Sequence, residues 1–303
     1  SHRRLTDENA MGRMNIMKAM NTFLGAVLGA AALTGSPVMA EITIGVTGPL
    51  SGPAANTGIS MRQAYEVGAA EVNDAGGVKI GDETHQVELI FEDSASRPEM
   101  GVSAAQKLLT RDNVDILIGD SLASSVTLAI MEVIPSFGKF TMSGQPVSIE
   151  IAKKIESNPE RYAAFWKASF NSDAYGKALY ETVEYLENKS LVTNEDKTVA
   201  FIVEDTDYGK SNIEFTAPHF RDAGWTVVAE ETVPLGHADF YPQLSKLRAD
   251  EPDVLISIFT SVNSGIALVK QMAEQGLDPL YMGVYYPMRN EFLEGAGPAA
   301  EGM

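Results

Sequence analysis

A serine-rich segment contains groups that could bind an anion. Residues 121–125 read SLASS, follow the apolar run VDILIGD and begin a predicted helix. Free backbone amides and the positive end of a helix dipole favour a carboxylate at such a place, and serine hydroxyls can add hydrogen bonds. In the alternative interpretation, Ser121 or Ser124 only caps the helix through its side chain. The residue types leave both interpretations open.

The loop between the first apolar run and the first predicted helix is rich in glycine. Residues 46–58 read VTGPLSGPAANTG, and these glycines do not form the Gly-x-Gly-x-x-Gly dinucleotide fingerprint. Pro49 and Pro53 also remove two amide donors. The Gly-Lys-Ser triplet at residues 209–211 resembles the end of a phosphate loop, but Glu204 stands where that loop needs a glycine. We therefore expect no nucleotide, and the first loop is either an ordinary strand-to-helix connection or part of another kind of site.

Residues suited to catalysis or metal binding are scattered. The chain contains no cysteine, which excludes thiolate zinc sites and cysteine nucleophiles. No Gly-x-Ser-x-Gly nucleophile motif is present, since the Ser143-Gly144 pair lacks the preceding glycine. The histidines lie far apart, without the spacing of metal ligands or of a catalytic triad: His2, His85, His219 and His237. The sequence therefore predicts a protein that is not an enzyme and holds neither a cofactor nor a metal.

The overall composition bounds the size of the core and the class of partner. The chain has 303 residues, of which 45% are hydrophobic. This length allows two cores, because single cores stop growing near about 250–300 residues. The formal net charge is −18, which disfavours association with DNA or RNA. We expect no nucleic-acid partner.

The N-terminal region has the order of a secretory signal peptide. Arg13 and Lys18 precede the apolar stretch TFLGAVLGAAAL, and small residues follow up to Ala40. The apolar stretch is too short for a permanent membrane anchor. We expect cleavage before Glu41 and a soluble protein outside the cytoplasm, with residues 1–10 as upstream sequence. The alternative, a buried helix, is disfavoured because the stretch has no polar face.

From Glu41 onward, short β-branched apolar runs alternate with longer segments of helical periodicity. This alternation predicts an α/β, doubly wound architecture, in which ligands bind beyond the carboxyl ends of parallel strands. The predicted strands cover residues 41–46, 87–93, 114–120, 139–143, 198–205, 226–231, 253–260 and 280–284. The predicted helices cover residues 60–73, 101–110, 124–134, 173–186 and 264–275.

The alternation is interrupted between residues 155 and 170, where SNPERYAAFWKASF carries a proline, several aromatic residues and no clear helical period. We interpret this segment as the crossing between two lobes, at residues 41–162 and 163–286, with a cleft for a small molecule between them. The sequence ends soon after the second lobe completes its strands. Residues 287–303 are therefore expected to begin a further crossover, in a chain that is truncated at its C-terminal end.

Several segments together resemble a known family. In order, ITIGVTGPLSGPAANTG, VNDAGGV, VELIFEDSASRPEMGVSAAQKLLTRDNVDILIGDSLAS, VEDTDYGKS and YMGV resemble the periplasmic solute-binding proteins of branched-chain amino-acid type ABC importers. The similarity extends over nearly all of residues 41–303. It implies the type I periplasmic binding protein fold, with two Rossmann-like lobes, three crossovers and hinge closure. It also implies a periplasmic protein that captures a small amino acid or organic acid between the lobes.

The resemblance assigns candidate ligand contacts to both lobes. It implies that the carboxylate of the ligand lies against the helix start at Ala123, Ser124 and Ser125, and that Tyr208 packs over the ligand. Asp173 either reaches the cleft or caps its own helix. The full set of candidate ligand-binding residues is Asn56, Thr57, Ser121, Ala123, Ser124, Ser125, Gln145, Pro146, Asp173, Tyr208, Thr260 and Tyr285.

One departure from the family pattern bears on the ligand. Amino-acid binders of the family usually have an acidic residue soon after the Met-Gly pair, to pair with the ammonium of the ligand, whereas Tyr285 stands here. A buried ammonium without a partner is costly, so either Asp205 or Asp207 supplies the carboxylate or the ligand has no amine. Tyr208, Tyr285 and Trp166 would line an aromatic pocket, which suits an aromatic or aliphatic carboxylate.

The expected partners are a small-molecule solute and the membrane permease of an ABC importer, and the protein is expected to act as a monomer. The alternative function is a periplasmic ligand-sensing receptor domain of the same fold, and an enzyme is the third. A turnover assay separates the first two from an enzyme, because a binding protein leaves its ligand unchanged.

Overall fold

The computed structural model describes residues 40–301, and the predicted signal peptide lies outside them. Among these residues, none of the helices combines the length and the hydrophobicity needed to cross a bilayer. The strands are β1 Ala40–Gly48, β2 Val78–Ile80, β3 Glu83–Asp93, β4 Ile116–Ile118, β5 Phe140–Ser143, β6 Phe165–Lys167, β7 Thr198–Glu204, β8 Thr226–Val233, β9 Val254–Phe259 and β10 Leu280–Tyr285. The α-helices are α1 Ala55–Asp74, α2 Pro98–Thr110, α3 Ser124–Val133, α4 Ile149–Ser157, α5 Ser172–Asn188, α6 Asp207–Asp222, α7 Tyr241–Asp250, α8 Val262–Gln275 and α9 Asn290–Ala296.

The first lobe is built on a six-stranded sheet with the order β2-β3-β1-β4-β5-β6. The run from β1 through β4 and β5 to β6 is parallel, as the alternation of strands and helices predicts. β2 pairs antiparallel with β3, so the sheet is mixed. The sequence pattern does not reveal β2, because this strand has only three residues and pairs through a hairpin.

Helices α2 and α3 form the core of the first lobe against its sheet. Leu108, Val126 and Ile130 have no exposed surface and pack together with Leu117 of β4. Burial of each such side chain stabilises the fold by roughly 1.5–3 kcal/mol. The two helices approach closely at Gly101, where a Cβ atom would lie 2.1 Å from Cγ1 of Val126. This packing holds α3 in place, and its first turn lies beyond the carboxyl end of β4.

The second lobe is built on a four-stranded sheet with the order β10-β9-β7-β8, in which every pair is parallel. All residues of β9, VLISIF, are buried, as expected for a parallel strand with helices on both faces. Helices α7, α8 and α9 cover one face, and α5 and α6 cover the other. The predicted α/β class with doubly wound lobes is confirmed.

The boundary between the lobes differs from the predicted position after residue 162. Strand β6 pairs in parallel with β5 and therefore belongs to the first sheet. The passage to the second lobe begins at Ala168 and leads into α5, which joins the core around β7. The sequence pattern misplaces the boundary because a three-residue strand between a turn and a loop has no measurable periodicity.

Residues 287–301 pack mainly on the second lobe, and Arg289 donates a hydrogen bond to Ser60 Oγ of the first lobe, so the expected crossover stays a prediction. Phe292 of α9 is fully buried in the core that α8 forms with the second sheet. Tyr286 is fully buried beside it, and the hydroxyl groups of Tyr286 and Ser257 are hydrogen-bonded at 2.7 Å. A Cβ atom at Gly265 would lie 2.1 Å from the Tyr286 ring. Helix α8 is therefore closely fitted to this aromatic ring.

Candidate ligand-binding cavity

A cavity of 290 Å³ lies between the two lobes. Its lining residues follow or end β3, β4, β5 and β6 of the first sheet and β7, β8, β9 and β10 of the second. This is the position beyond the carboxyl ends of parallel strands where open α/β sheets bind ligands. The location therefore agrees with the sequence-based expectation, and the chemistry of the walls decides what the cavity can hold.

The first lobe contributes the start of α3 to the cavity. The N-cap residue is Ala123 and no side chain caps the helix, which contradicts the interpretation that Ser121 or Ser124 is a cap. The amides of Ser124 and Ser125 donate to no acceptor within residues 40–301. Ala123, Ser124 and Ser125 all line the cavity. The helix start therefore presents amide donors and a positive dipole end to the cavity.

Asp120 fixes the backbone that leads into α3. It is fully buried, and its Oδ1 accepts hydrogen bonds from the amides of Leu122 and Ala123, each at 2.8 Å. Burial raises the pKa of Asp120 to about 6, although the amide hydrogen bonds act in the opposite direction. Asp120 is not among the lining residues. Its carboxyl group therefore supports the turn and does not meet a ligand.

The hydroxyls of the two lining serines make contacts within the protein. Ser124 Oγ accepts a hydrogen bond from the amide of Ser148 at 3.2 Å. Ser125 Oγ accepts one from the amide of Asp207 in the second lobe at 3.0 Å. Each hydroxyl still has a hydrogen to donate. Ser125 thus links the two lobes, and both serines keep a donor that can reach a ligand.

The loop after β5 forms a second part of the same wall. Gln145 lines the cavity, and its Oε1 accepts a hydrogen bond from the hydroxyl of Tyr285 in the second lobe at 3.4 Å. Val147 also lines the cavity. Pro146 does not line the cavity; it is buried, and its carbonyl accepts a hydrogen bond from Ser169 Oγ. Pro146 therefore positions Ser169, which is a lining residue.

The second lobe contributes two tyrosines to the cavity, Tyr208 and Tyr285. The Tyr208 hydroxyl is buried without a hydrogen-bond partner in residues 40–301, and burial raises its pKa well above the ordinary value. Such a hydroxyl costs about 1–3 kcal/mol unless a ligand or water bonds to it. Tyr285 has a φ of 78°, a strained conformation for a bulky residue, and burial raises its pKa to about 12. Both hydroxyls are therefore neutral donors at physiological pH.

Glu204 is an acidic residue of the cavity wall that the sequence analysis did not identify. It ends β7 and is only 2% exposed. Its Oε2 accepts a hydrogen bond from the Thr260 amide at 2.7 Å. Its Oε1 accepts hydrogen bonds from the hydroxyls of Thr260 and of Thr206, the latter at 3.0 Å. Burial raises the pKa of Glu204.

The position of Glu204 depends on the turn that connects β7 with α6. Thr206 is the N-cap residue of α6, and its Oγ1 accepts a hydrogen bond from the Gly209 amide at 3.1 Å. A Cβ atom at Gly209 would lie 2.0 Å from the Glu204 carbonyl oxygen. A glycine is therefore required where α6 begins against the end of β7. An acidic residue that closes the otherwise apolar strand TVAFIVE is the sequence signal that could have identified Glu204.

The charges around the cavity are unbalanced. The lining residues within the described chain include Glu204 but no lysine, arginine or histidine. Lys167 lies next to the lining segment, and its Nζ donates to the carbonyls of Ser169, at 2.9 Å, and of Phe170. Burial lowers the pKa of Lys167 to about 8. Within residues 40–301, no group of three or more His, Cys, Asp or Glu side chains is arranged to hold a metal.

Besides Pro146, three predicted contacts of the first lobe lie outside the cavity. Asn56 is exposed, and it lies with Thr57 at a separate pocket of only 40 Å³. Ser121 is buried, and its carbonyl accepts a hydrogen bond from the Gln145 amide at 3.3 Å. The first loop therefore packs beside the cavity, and Ser121 supports the loop that carries Gln145.

Further residues considered for the ligand, Trp166 of β6 and three acidic residues of the second lobe, also lie outside the cavity. Asp173 is exposed in the first turn of α5, whose N-cap residue is Asn171, so it neither caps the helix nor lines the cavity. Trp166 is 59% exposed and is not a lining residue. Asp205 forms an ion pair with Lys210 at 2.5 Å on the surface. Asp207 offers its amide to Ser125 but does not line the cavity.

The structure thus brings seven of the twelve predicted residues together. They are Ala123, Ser124, Ser125, Gln145, Tyr208, Thr260 and Tyr285. Eleven further lining residues were not predicted: Ser96, Leu122, Gly144, Val147, Ala168, Ser169, Phe170, Tyr175, Glu204, Thr206 and Leu235. Many of them are in loops, where no periodicity marks the side that faces a ligand.

A model of a protein family described as periplasmic binding protein matches residues 41–303. The chain belongs to the periplasmic binding protein family. The family resemblance inferred from the sequence is confirmed. Among curated relatives, the Leu/Ile/Val-binding protein homolog 1 of Brucella suis is 25% identical over 280 residues, which are 92% of this chain and 70% of that protein.

Solved structures of the family share the fold. The solute-binding protein of an ABC transporter from R. palustris, in complex with benzoate, has a TM-score of 0.70 and 20% identity, over 86% of this chain and 66% of that chain. The substrate-binding protein LivJ of Streptococcus pneumoniae, in complex with isoleucine, has a TM-score of 0.68 and 22% identity, over 85% of this chain and 68% of that chain. The chain thus spans 66–70% of the length of these three periplasmic binding proteins.

Proposed function

We propose that the protein is the periplasmic substrate-binding component of an ABC importer and that it captures a small amino acid or carboxylate in the cavity between its lobes. The observation that carries this proposal is the pairing of free amide donors at the start of α3 with the buried, unpartnered hydroxyl of Tyr208 across one cavity. Both groups are suited to hydrogen bonds with a small polar solute.

Contacts between the lobes support a mechanism of closure around the solute. Ser125 Oγ accepts a hydrogen bond from the Asp207 amide, and the Tyr285 hydroxyl donates one to Gln145 Oε1. These bonds join the walls of the cavity directly beside the lining residues, so they form only when the walls approach each other. An open form admits the solute, closure buries it, and the membrane permease recognises the closed form. The protein acts as a monomer in this scheme.

The relatives support the class of solute. The R. palustris protein was solved with benzoate and the S. pneumoniae protein with isoleucine, and both ligands combine a carboxylate with an apolar body. The cavity of this chain offers matching surfaces, since Leu122, Val147 and Leu235 line it together with the amides of α3. Binding without chemical conversion agrees with the names of these relatives as binding proteins.

A thermal-shift screen tests the proposal with purified protein. Amino acids, aromatic acids, short-chain carboxylates and amides are added separately, and at least one should raise the melting temperature, because a ligand that binds only the folded form stabilises it. Ala123→Trp adds bulk at a lining residue and should abolish the shift. Asn56→Ala lies outside the cavity and should retain it. A rise with nucleotides or metal ions alone would refute the proposal.

A further inference from the structure

The carboxylate of Glu204, a lining residue of the cavity, has an unused acceptor site. It accepts three hydrogen bonds, from the Thr260 amide and from the hydroxyls of Thr260 and Thr206. A carboxylate offers about four lone-pair sites, so one remains. Among the described lining residues there is no cationic side chain to neutralise it. The cavity thus has a buried negative charge without a partner of opposite sign.

The opposite wall carries the complementary chemistry. The amides of Ser124 and Ser125 are free donors at the positive end of α3. One wall therefore favours an anionic group and the other favours a cationic donor. The surface between them is largely apolar, with Leu122, Val147 and Leu235 among its residues.

We infer that Glu204 is the specificity-determining residue for the ammonium group of a zwitterionic, apolar α-amino acid, with the carboxylate of that ligand at the start of α3. This inference rests on the proposed function and narrows its ligand class. The Tyr208 hydroxyl, which has no partner within residues 40–301, lies in the same wall and donates to the ligand.

The other carboxylates near this wall do not fit the role. Asp205 is paired with Lys210 on the surface, and Asp207 is outside the lining. Tyr285 is a neutral phenol, because burial raises its pKa to about 12. Burial also raises the pKa of Glu204, because it disfavours the charged form of the carboxyl group. A bound ammonium supplies the missing positive charge and lowers that pKa again.

Matched pairs of ligands test this inference at about pH 7.5 by titration calorimetry. Leucine, isoleucine, valine and phenylalanine are each compared with the carboxylic acid that lacks only the amino group, such as 4-methylpentanoate for leucine. At least one amino acid should bind about 100-fold more tightly than its partner acid, because the acid leaves Glu204 buried and unpaired. Glu204→Gln should reduce that ratio to below about 5-fold.

Controls separate recognition from folding. Asp205→Asn removes the neighbouring carboxylate outside the cavity and should change the affinity for the amino acid by less than about 2-fold. If Glu204→Gln does not fold, the ratio measured for the wild-type pairs decides alone. Proton release gives a further readout: in a pH series that extends to acid values, binding of the amino acid should release more protons from wild-type protein than from Glu204→Gln.

The outcomes distinguish this inference from the proposed function. Equal or tighter binding of the acids without an amino group would overturn the role of Glu204 and leave the proposed function intact. An unchanged ratio in Glu204→Gln would also overturn that role. If no amino acid, aromatic acid or other carboxylate binds to the wild-type protein, both the proposed function and this inference fail.

Discussion

Each lobe buries one carboxyl group where a parallel strand leads into a helix, and the two groups have different surroundings. Asp120 follows β4 and binds the amides of Leu122 and Ala123, away from the cavity. Glu204 ends β7 and lines the cavity. Burial raises the pKa of both. A buried carboxyl group in a similar place therefore supports a turn in one lobe and lies in the cavity wall in the other.

The difference shows how capping decides which groups remain free. In the first lobe Asp120 satisfies the amides before α3, no side chain caps that helix, and its first amides stay available. In the second lobe Thr206 caps α6 with its own hydroxyl oxygen, and the carboxylate of Glu204 accepts the hydrogen of that hydroxyl while Glu204 lines the cavity. One wall consequently offers donors and the other an acceptor.

The largest expected effect is on stability. Asp120→Ala leaves two buried amides without an acceptor and should lower the free energy of unfolding by about 3 kcal/mol. Glu204→Ala should cost only about 1 kcal/mol, because water in the cavity can reach the Thr260 amide. Urea unfolding of both variants measures the difference. Equal losses would show that the two carboxyl groups have the same structural role.

The second effect concerns pH. The pKa of Asp120 in the folded protein is about 6, raised from 3.8, so the folded state binds more protons than the unfolded chain between about pH 4 and 6. Stability from this group is therefore present at low pH and is lost as the pH rises through that window. Asp120→Asn keeps an oxygen acceptor but cannot ionise.

Relative to wild type, the free energy of unfolding of Asp120→Asn should therefore rise by up to about 3 kcal/mol from pH 4 to pH 7. Urea unfolding at several pH values within this window measures the difference between the two proteins, which removes the contribution of the other acidic groups. A difference that does not change with pH would contradict the buried, uncompensated carboxyl group at this position.

The third effect concerns the hydrogen bond between Ser125 of the first lobe and the Asp207 amide of the second. Ser125→Ala removes the acceptor for the Asp207 amide and should weaken ligand binding by about 5-fold, which corresponds to about 1 kcal/mol for one hydrogen bond. Titration calorimetry measures this change in affinity, with the solute that the thermal-shift screen identifies. Ser103→Ala removes an exposed hydroxyl on α2 and serves as the matched control. The same loss in both variants would exclude this hydrogen bond as the cause.

The smallest expected effect on the free energy of unfolding is at Tyr208. Tyr208→Phe removes a buried hydroxyl that has no partner within the described residues and that water bonds to in the absence of a solute, so the free energy of unfolding should change by less than about 0.5 kcal/mol. Ligand affinity should nevertheless fall, because the hydroxyl is a donor to the solute. A stability loss above about 1 kcal/mol in urea unfolding would show that the hydroxyl is bonded within the protein.

The sequence predicts the parallel core well, because long buried runs such as that of β9 have an unambiguous composition. It does not predict β2 or β6, because three residues carry no period, and the lobe boundary is misplaced as a result. The residue types and the family resemblance together predict the helix start at Ser124, and the resemblance predicts the ring of Tyr208. Glu204 is missed because its environment depends on Thr260, which lies 56 positions away along the chain.

The close packing of Tyr286 between α8 and β10 limits which residues homologues can carry at the neighbouring positions. A side chain at Gly265 would overlap the Tyr286 ring, and a Cβ atom at Gly283 would lie 2.5 Å from its hydroxyl oxygen. A larger residue at either glycine is therefore tolerated only if a smaller residue replaces the tyrosine at the same time. We expect these three positions to vary together among homologues. Coordinated substitution at these positions would show which replacements occurred together as this lobe evolved.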